Sequence, residues 1–306
     1  MPSVVDVIIN SDSGSTGEDT ADELTKFFKA RDIQVRIHPF GENDDLDAVI
    51  AKAIEGDGDV TVACGGDGTV SAVAAAAVAK DRVLGVLPLG TLNNFSKDLE
   101  IPQTLEEAVE VIAAGQTAVI DVAEVNGQIF INNSSIGLYS QIVRRREKQQ
   151  QLGRGKWSAA FWAALKVVRF SSFLKVRIIV DEKEIVRRTP FVFVGNNDYE
   201  MEIYNIGRRP RLDEGKLSIY FLRRGTRWGV IVMLLRTFVG AVKQWSDFEE
   251  VQTDSVTIVS RKKRLLVAHD GEVTTMDTPL EYRIIPGALK VIIPTPAAGA
   301  APLTDG

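Results

Sequence analysis

Apolar runs alternate with longer amphipathic stretches through the first third of the chain. The runs predict strands at residues 4–10, 35–37, 60–63 and 83–87, and the stretches predict helices near residues 17–30, 44–54, 69–79 and 104–114. Strands that alternate with helices build a mostly parallel, doubly wound sheet. We therefore expect an α/β domain over residues 1–123.

Beyond residue 121 the apolar runs become shorter and alternate with polar residues. They predict strands at residues 128–132, 174–180, 189–194, 216–222, 255–260, 264–268 and 281–285, with helices near residues 140–151 and 227–243. Turn residues such as Asn126-Gly127 and Asp181-Glu182-Lys183 separate the runs, as in antiparallel sheets packed as a sandwich. We expect an all-β, sandwich-like domain over residues 124–286 and a disordered tail over residues 295–306.

Length and composition agree with a two-domain soluble protein. The chain has 306 residues, of which 45% are hydrophobic and 25% charged. No basic segment precedes an apolar run at the start, and no stretch reaches the roughly 20 apolar residues of a membrane span. The single cysteine, Cys64, cannot form an internal disulfide. These features predict a cytoplasmic protein.

The net charge of −5 conceals two unlike halves. Residues 1–125 hold 8 lysines and arginines against 23 acidic residues, a balance of −15, whereas residues 126–306 hold 28 against 18, a balance of +10. Basic runs such as Arg144-Arg145-Arg146 and Arg261–Arg264 fall in the second half and suit an anionic lipid surface. Each run is also compatible with a solvated loop. No recognition motif accompanies them, so nucleic acid is the weaker partner.

Two glycine-containing turns carry the candidate chemistry. Gly65, Gly66 and Gly68 lie between a predicted strand and a helix, where glycine lets a phosphate approach the backbone N–H groups at the helix start. A second turn, at residues 88–95, follows the next strand. Neighbouring parallel strands place such turns at one edge of the sheet, where α/β folds bind ligands. The pair predicts a phosphate-binding edge more strongly than either turn alone.

These residues resemble motifs of the diacylglycerol kinase catalytic-domain superfamily. Gly65–Thr69 resembles its GGDGT motif and residues 90–99 resemble its GT-x-N-D-F-A-x-x-L motif. Residues 10–14 stand at the place of its N-P-x-S-G segment, and Asp270-Gly271-Glu272 matches its D-G-E. Residues 130–137 and 212–217 look like later family segments, so the resemblance covers nearly the whole chain.

The resemblance implies transfer of the γ-phosphoryl group of ATP to the hydroxyl of a lipid such as diacylglycerol, with Mg²⁺ at the phosphates. It also implies that the nucleotide site lies in the cleft between the two domains and that residues 287–294 complete the first domain. The expected nucleotide-binding residues are Asn10, Ser13, Gly14, Gly65, Gly66, Asp67, Gly68, Thr69, Gly90, Thr91, Asn93 and Asn94.

Five carboxylates are the candidate catalytic and metal-binding groups. Asp67 is expected to bind Mg²⁺, directly or through water, and a helix N-cap is its alternative role. The resemblance assigns the general base to Asp270, although Asp-Gly alone indicates a turn. Glu272 would orient Asp270 or bind metal if the segment is extended. Asp213 and Glu214 stand where some bacterial members hold a structural magnesium ion.

Three positions depart from the family pattern. Ser11 replaces a proline and Glu214 replaces an aspartate, which puts the magnesium site of that segment in question. Asn94 replaces an aspartate that many members have, so one negative charge near the phosphates is missing. A neutral amide still donates and accepts hydrogen bonds.

The acceptor site is less defined. Residues 156–170 include two tryptophans with basic residues at both ends, a pattern that suits a lipid cleft, a membrane interface or a helix packed on the sandwich. We expect a lipid substrate and transient peripheral contact with a membrane surface, while the sequence leaves homodimer formation open. Two alternatives remain: an NAD kinase-like enzyme, which shares the GGDG turn, and a nucleotide-binding regulatory module without catalysis.

Overall fold

The predicted alternation of strand and helix is present in the first part of the chain. The computed structural model describes residues 1–11, 17–137, 173–199, 209–222 and 248–295. The chain divides into two units, the first formed by residues 1–122, 208–215 and 285–306 and the second by residues 123–207 and 216–284. Two fold classes, α/β and β-sandwich, therefore share one chain, as the sequence predicts.

The first unit is built on a parallel sheet in the order β2-β1-β3-β4. β3 is buried along its whole length, as expected for a strand covered by helices on both faces. The elements are β1 (Val4–Asn10), α1 (Gly17–Lys29), β2 (Gln34–Phe40), α2 (Leu46–Ile54), β3 (Val60–Gly65), α3 (Asp67–Lys80), β4 (Val83–Pro88), α4 (Asn94–Asp98) and α5 (Leu105–Ala114). The last strand of the chain, β16 (Leu280–Ile292), ends in this unit and pairs in parallel with β4.

The second unit consists of antiparallel strands. Its remaining elements are β5 (Thr117–Val125), which starts in the first unit, then β6 (Gln128–Phe130), β7 (Asn133–Gly137), β8 (Leu174–Val180), β9 (Lys183–Thr189), β10 (Phe191–Asn196), β11 (Leu217–Leu222), β12 (Phe248–Thr253), β13 (Ser255–Ser260), β14 (Arg264–His269) and β15 (Glu272–Asp277). One sheet has the order β12-β11-β10-β7-β14-β15, and the other joins the start of β16 to β13, β8 and β9. Apolar side chains from both sheets, among them Ile136, Val192 and Ile258, form one core.

Three strands that the sequence pattern did not predict are edge strands. β9 ends one sheet, and β12 and β15 are the two edges of the other. An edge strand is more open to water, so its sequence need not show the alternation that a half-buried strand shows. The predicted turn at Asp181–Lys183 is shorter than expected, because β9 already begins at Lys183. β7 was also missed, because its buried side chains include Ser134 and Ser135.

Some predicted segments lie outside the described residues. These are the helices near residues 140–151 and 227–243, the aromatic stretch 156–170 and all but the first residue of the predicted tail at 295–306. Among the helices that the structure describes, none is long and apolar enough to span a bilayer.

A buried ion pair fastens residues 209–215 to the first unit. Asp98 ends α4, and its Oδ2 accepts a hydrogen bond from Nε of Arg209 at 2.8 Å. Its Oδ1 accepts the backbone N–H of Arg209 at 3.3 Å. The Arg209 side chain is completely buried and that of Asp98 is 6% exposed. Each of these buried charges depends on the other, because a lone buried charge would carry its desolvation cost with no compensating attraction.

Replacing Arg209 with methionine is expected to lower the free energy of unfolding by about 3–5 kcal/mol, because the Asp98 carboxylate stays buried without its cation. The double variant Asp98→Asn/Arg209→Met should recover part of that loss, since it removes both charges. Urea unfolding followed by circular dichroism measures both. A double variant that is no more stable than Arg209→Met would contradict this assignment.

Candidate nucleotide-binding site

The two glycine-containing turns lie side by side at the carboxyl ends of β3 and β4. Gly65 pairs with Pro88 in the sheet register, and the N–H of Leu89 donates to the Gly65 carbonyl at 3.0 Å. A Cβ atom added to Gly90 would lie 2.6 Å from the Gly66 Cα. The two turns therefore touch through backbone atoms at a point where only glycine fits at position 90.

The first turn opens directly into α3. Gly66 is the N-cap residue and provides no side chain to cap the helix, and the first helical bond runs from the Val70 N–H to the Gly66 carbonyl at 3.0 Å. The N–H groups of the first helical turn have no partner within the helix and carry the positive end of its dipole. This end of α3 is suited to an anion such as a phosphate.

Asp67 connects the two turns. It is the first residue of α3 rather than its N-cap, which is the position that we considered as its alternative role. Its Oδ1 lies 3.4 Å from the backbone nitrogen of Phe95, and its Oδ2 lies 3.5 Å from Nδ2 of Asn94. Asn94, which stands where many family members have an aspartate, thus directs an amide donor toward Asp67 instead of a second negative charge.

The second turn is held by a small polar network. Asn93 adopts a left-handed conformation with φ of 50°, and its Nδ2 donates to Oε1 of Gln103 at 3.2 Å. Gln103 also donates to Oγ of Ser96 at 3.1 Å and to the carbonyl of Ile101 at 2.8 Å. Sequence reasoning missed Gln103 because it lies outside the glycine motif, and only the fold brings it beside Asn93.

The remaining predicted nucleotide-binding residues follow the same edge. Asn10 ends β1, the strand beside β3, while Thr91 and Asn94 are exposed. Thr69 packs closely against Gly65, so that a Cβ atom added to Gly65 would lie 2.7 Å from Oγ1 of Thr69. Ser13 and Gly14 lie outside the described residues.

A nucleotide and its metal ion fit this edge. Gly66 has no side chain at the start of α3, and Oδ1 of Asn93 is buried with no hydrogen-bond partner from the described residues. Magnesium at phosphates commonly uses one or two carboxylates plus phosphate oxygens and water. Asp67 can supply such a carboxylate. The described residues contain no cluster of three or more metal-ligating side chains.

Cys64 precedes the first turn but is chemically inert. It is completely buried at the end of β3, and desolvation raises the pKa of its thiol far above the usual value. The thiolate that a nucleophile requires is therefore suppressed.

Asp270 lies in the second unit, in the two-residue turn between β14 and β15. Asp270 and Gly271 both have positive φ, 46° and 91°, as in the turns that Asp-Gly favours in hairpins. The carboxylate is buried and accepts the backbone N–H groups of Ile131, Asn132 and Asn133 at 2.7–3.1 Å. These contacts fix its orientation and anchor the segment between β6 and β7.

The roles considered for Glu272 require an extended segment, and the structure does not have one there. The segment from residue 270 to residue 272 is a turn rather than extended, and Glu272 pairs with His269 across the hairpin. Its side chain is exposed, whereas that of Asp270 is buried. The hairpin therefore places the two carboxylates of the D-G-E motif in different environments, although they are only two residues apart in sequence.

Asp213 faces an arginine. Nε and Nη2 of Arg211 donate to Oδ1 and Oδ2 of Asp213 at 3.0 and 3.1 Å, a two-bond pair that satisfies much of the carboxylate. Glu214 is exposed. An arginine in this position does not favour a bound cation, so the arrangement does not suit the structural magnesium site suggested for these two residues.

Comparison with known proteins supplies the family. The family described as diacylglycerol kinase catalytic domain matches residues 5–125, and the one described as YegS C-terminal NAD kinase beta sandwich-like domain matches residues 135–293, about half of the chain. The chain belongs to the diacylglycerol kinase and YegS-like lipid kinase family.

Individual relatives agree with this assignment. A YegS-like lipid kinase of Pectobacterium atrosepticum is 31% identical over 50% of this chain and 53% of its own length. A diacylglycerol kinase of Staphylococcus epidermidis is 34% identical over 30% of this chain and 29% of its own. A crystal structure of a diacylglycerol kinase from Bacillus anthracis has the same fold, with a TM-score of 0.72 at 23% identity, covering 95% of this chain and 97% of that one.

Alignment to these relatives is partial. Among the first four curated relatives, the matched share is 46% to 62% of each relative's own length. The chain therefore spans about half the length of most of the curated relatives that it matches.

The contact between the glycine turns of this family member can be tested with two alanine variants. Gly90→Ala should lower the affinity for Mg-ATP at least tenfold and lower the melting temperature, because overpacking against Gly66 costs about 1–3 kcal/mol. Gly66→Ala is the matched control for stability, since its Cβ would meet only the Gly90 Cα at 3.5 Å. Titration calorimetry and thermal unfolding give both readouts. Wild-type affinity and melting temperature in Gly90→Ala would refute the contact.

The anchoring role of Asp270 predicts a loss of stability. Asp270→Ala removes the acceptor for three backbone N–H groups and should lower the free energy of unfolding by about 2–3 kcal/mol. Glu272→Ala is the control, because an exposed side chain usually changes stability by no more than about 0.5 kcal/mol. Urea denaturation of the two variants compares them directly. Equal stabilities would show that the three contacts contribute nothing.

Proposed function

We propose that this protein is a lipid kinase that transfers the γ-phosphoryl group of ATP to the hydroxyl group of a lipid such as diacylglycerol. The observation that carries the proposal is the backbone contact of two glycine turns beside the start of α3, where the first N–H groups of the helix suit a phosphate. Family membership supports the phosphoryl acceptor being a lipid.

In this proposal the described residues around the glycine turns bind the phosphoryl donor. Backbone N–H groups at the start of α3 bind phosphate oxygens, and Asn93 and Asn94 contribute amide groups. Asp67 holds Mg²⁺, directly or through water. ATP with Mg²⁺ supplies the activated phosphoryl group and offsets its charge.

Asp270 is our proposed general base. Its three hydrogen bonds to backbone N–H groups hold the carboxylate in one orientation, and orientation toward the hydroxyl is what a base requires. The same bonds give Asp270 a structural role, so loss of activity in a variant does not by itself identify a base. The acceptor hydroxyl is presented at a membrane or micelle surface, which the protein visits transiently.

The test is transfer of labelled γ-phosphate from Mg-ATP to a panel of acceptors in mixed micelles. The panel contains diacylglycerol, phosphatidylglycerol, a prenol, a sphingoid base and NAD. We expect one lipid to become labelled and Asp67→Asn to lower the rate at least 100-fold. Label on NAD alone would favour the NAD kinase-like alternative. Nucleotide binding with no label on any acceptor would favour a regulatory module without catalysis.

A pH profile separates the two roles of Asp270. General-base catalysis contributes about 10²–10⁴-fold, so Asp270→Asn should lower kcat by at least that lower bound and abolish the loss of rate at acid pH. If the role of Asp270 is purely structural, the variant should be less stable, and its residual activity should still fall at acid pH.

A further inference from the structure

Two basic side chains face each other on the exposed surface of the second unit. Lys175 of β8 pairs directly with Arg188 of β9. Both side chains are exposed, while Leu174 and Val176 on either side of Lys175 are buried. Because alternate residues of a strand point to opposite faces, Lys175 and Arg188 share the solvent face.

A basic turn continues this pair onto a third strand. Ser260, the last residue of β13, pairs with Val176, the neighbour of Lys175. The turn that follows begins beside Lys175 and consists of Arg261, Lys262 and Lys263, all of them exposed. We call Lys175, Arg188, Arg261, Lys262 and Lys263 the basic platform.

Stability does not account for this arrangement. Like charges directly opposite each other on neighbouring strands are destabilising. Other cations of the same unit are paired, for example Arg177 with Glu184, Arg187 with Glu249, and Arg264 with Asp277. Within the part of the chain that the structure describes, no ion pair joins a platform residue to an acidic side chain. Among the described residues, the platform therefore concentrates positive charge without acidic partners.

Apolar groups lie among these charges. The guanidinium of Arg188 lies 5.6 Å from the centroid of the Phe173 ring, and Val186 on the same face is 45% exposed. Val259 and Val186 both lie opposite Arg177, one on each side of β8. A sheet face with long cationic side chains and exposed aliphatic groups suits the headgroup region of a bilayer. Single-stranded nucleic acid would require exposed aromatic rings for stacking, whereas Phe173 lies beneath an arginine.

We propose that the basic platform docks this protein onto membranes that contain anionic phospholipids. This proposal is independent of catalysis, because docking requires neither nucleotide nor turnover. Each lysine or arginine near an anionic surface contributes about fivefold in affinity, so three of them contribute about 100-fold. The attraction is screened by salt, since the Debye length falls as the ionic strength rises.

Vesicle sedimentation of the full chain without nucleotide tests the platform. The triple variant Lys175→Gln/Arg188→Gln/Arg261→Gln is compared with wild type on phosphatidylcholine vesicles with and without phosphatidylglycerol. We expect wild type to bind only the anionic vesicles, binding to weaken with added salt, and the variant to bind about 100-fold more weakly. The variant should be at least as stable as wild type in thermal unfolding, because it relieves the repulsion between Lys175 and Arg188.

The matched control removes the same charge elsewhere. Lys29, Lys52 and Lys80 are exposed residues of the first unit, and Lys29→Gln/Lys52→Gln/Lys80→Gln should keep wild-type binding. Equal weakening of both triple variants would overturn the platform and indicate an effect of net charge. Unchanged binding in the platform variant, or platform-dependent binding to an RNA oligonucleotide but not to vesicles, would also overturn it. Kinase activity plays no part in these outcomes, so failure of the proposed reaction is detected separately.

Discussion

Two buried carboxylates hold together a unit that the chain builds from three separated stretches. Asp121 is 2% exposed and accepts the backbone N–H groups of Gly215 at 2.7 Å and Gly287 at 2.9 Å, while its own N–H donates to the Leu212 carbonyl. Asp98 receives Arg209 in the same way. Without these acceptors, residues 209–215 and the end of β16 would bring polar groups into the first unit without partners, at a cost comparable to that of the hydrogen bonds themselves.

The nucleotide edge depends on the same anchors. α4 starts at Asn94 beside the glycine turns and ends at Asp98, where the ion pair to Arg209 holds it. The helix is one and a half turns long, so its two ends cannot move independently. The position of the second glycine turn is therefore tied to a stretch of chain more than 100 residues away in sequence.

Sequence reasoning succeeded where local pattern determines structure and failed where tertiary contacts do. β1 and β13 have the predicted bounds because their apolar residues record burial directly. β9, β12 and β15 were missed because edge strands need not alternate. The pairs Asp98–Arg209 and Asp270 with residues 131–133 join positions over 100 residues apart, which no spacing rule detects. The Asp-Gly turn was visible in sequence, but the three backbone contacts of the Asp270 carboxylate were not.

The two halves of the chain carry opposite net charges, and this division bears on both proposals. The acidic half of the sequence supplies most of the first unit, and the basic half supplies the platform. In the proposed docking, an anionic surface would repel the acidic residues and attract the platform, because its field acts on the whole charge distribution and not only on touching residues. The glycine turns follow the same logic: Asn94 beside Asp67 carries no charge, where an aspartate would add a second negative charge. In the proposed reaction, the anion ATP would meet backbone donors and the Asp67 carboxylate in the first unit, and in the proposed docking an anionic lipid surface would meet the platform of the second unit. On these two proposals, the distribution of charge assigns the two partners to different units.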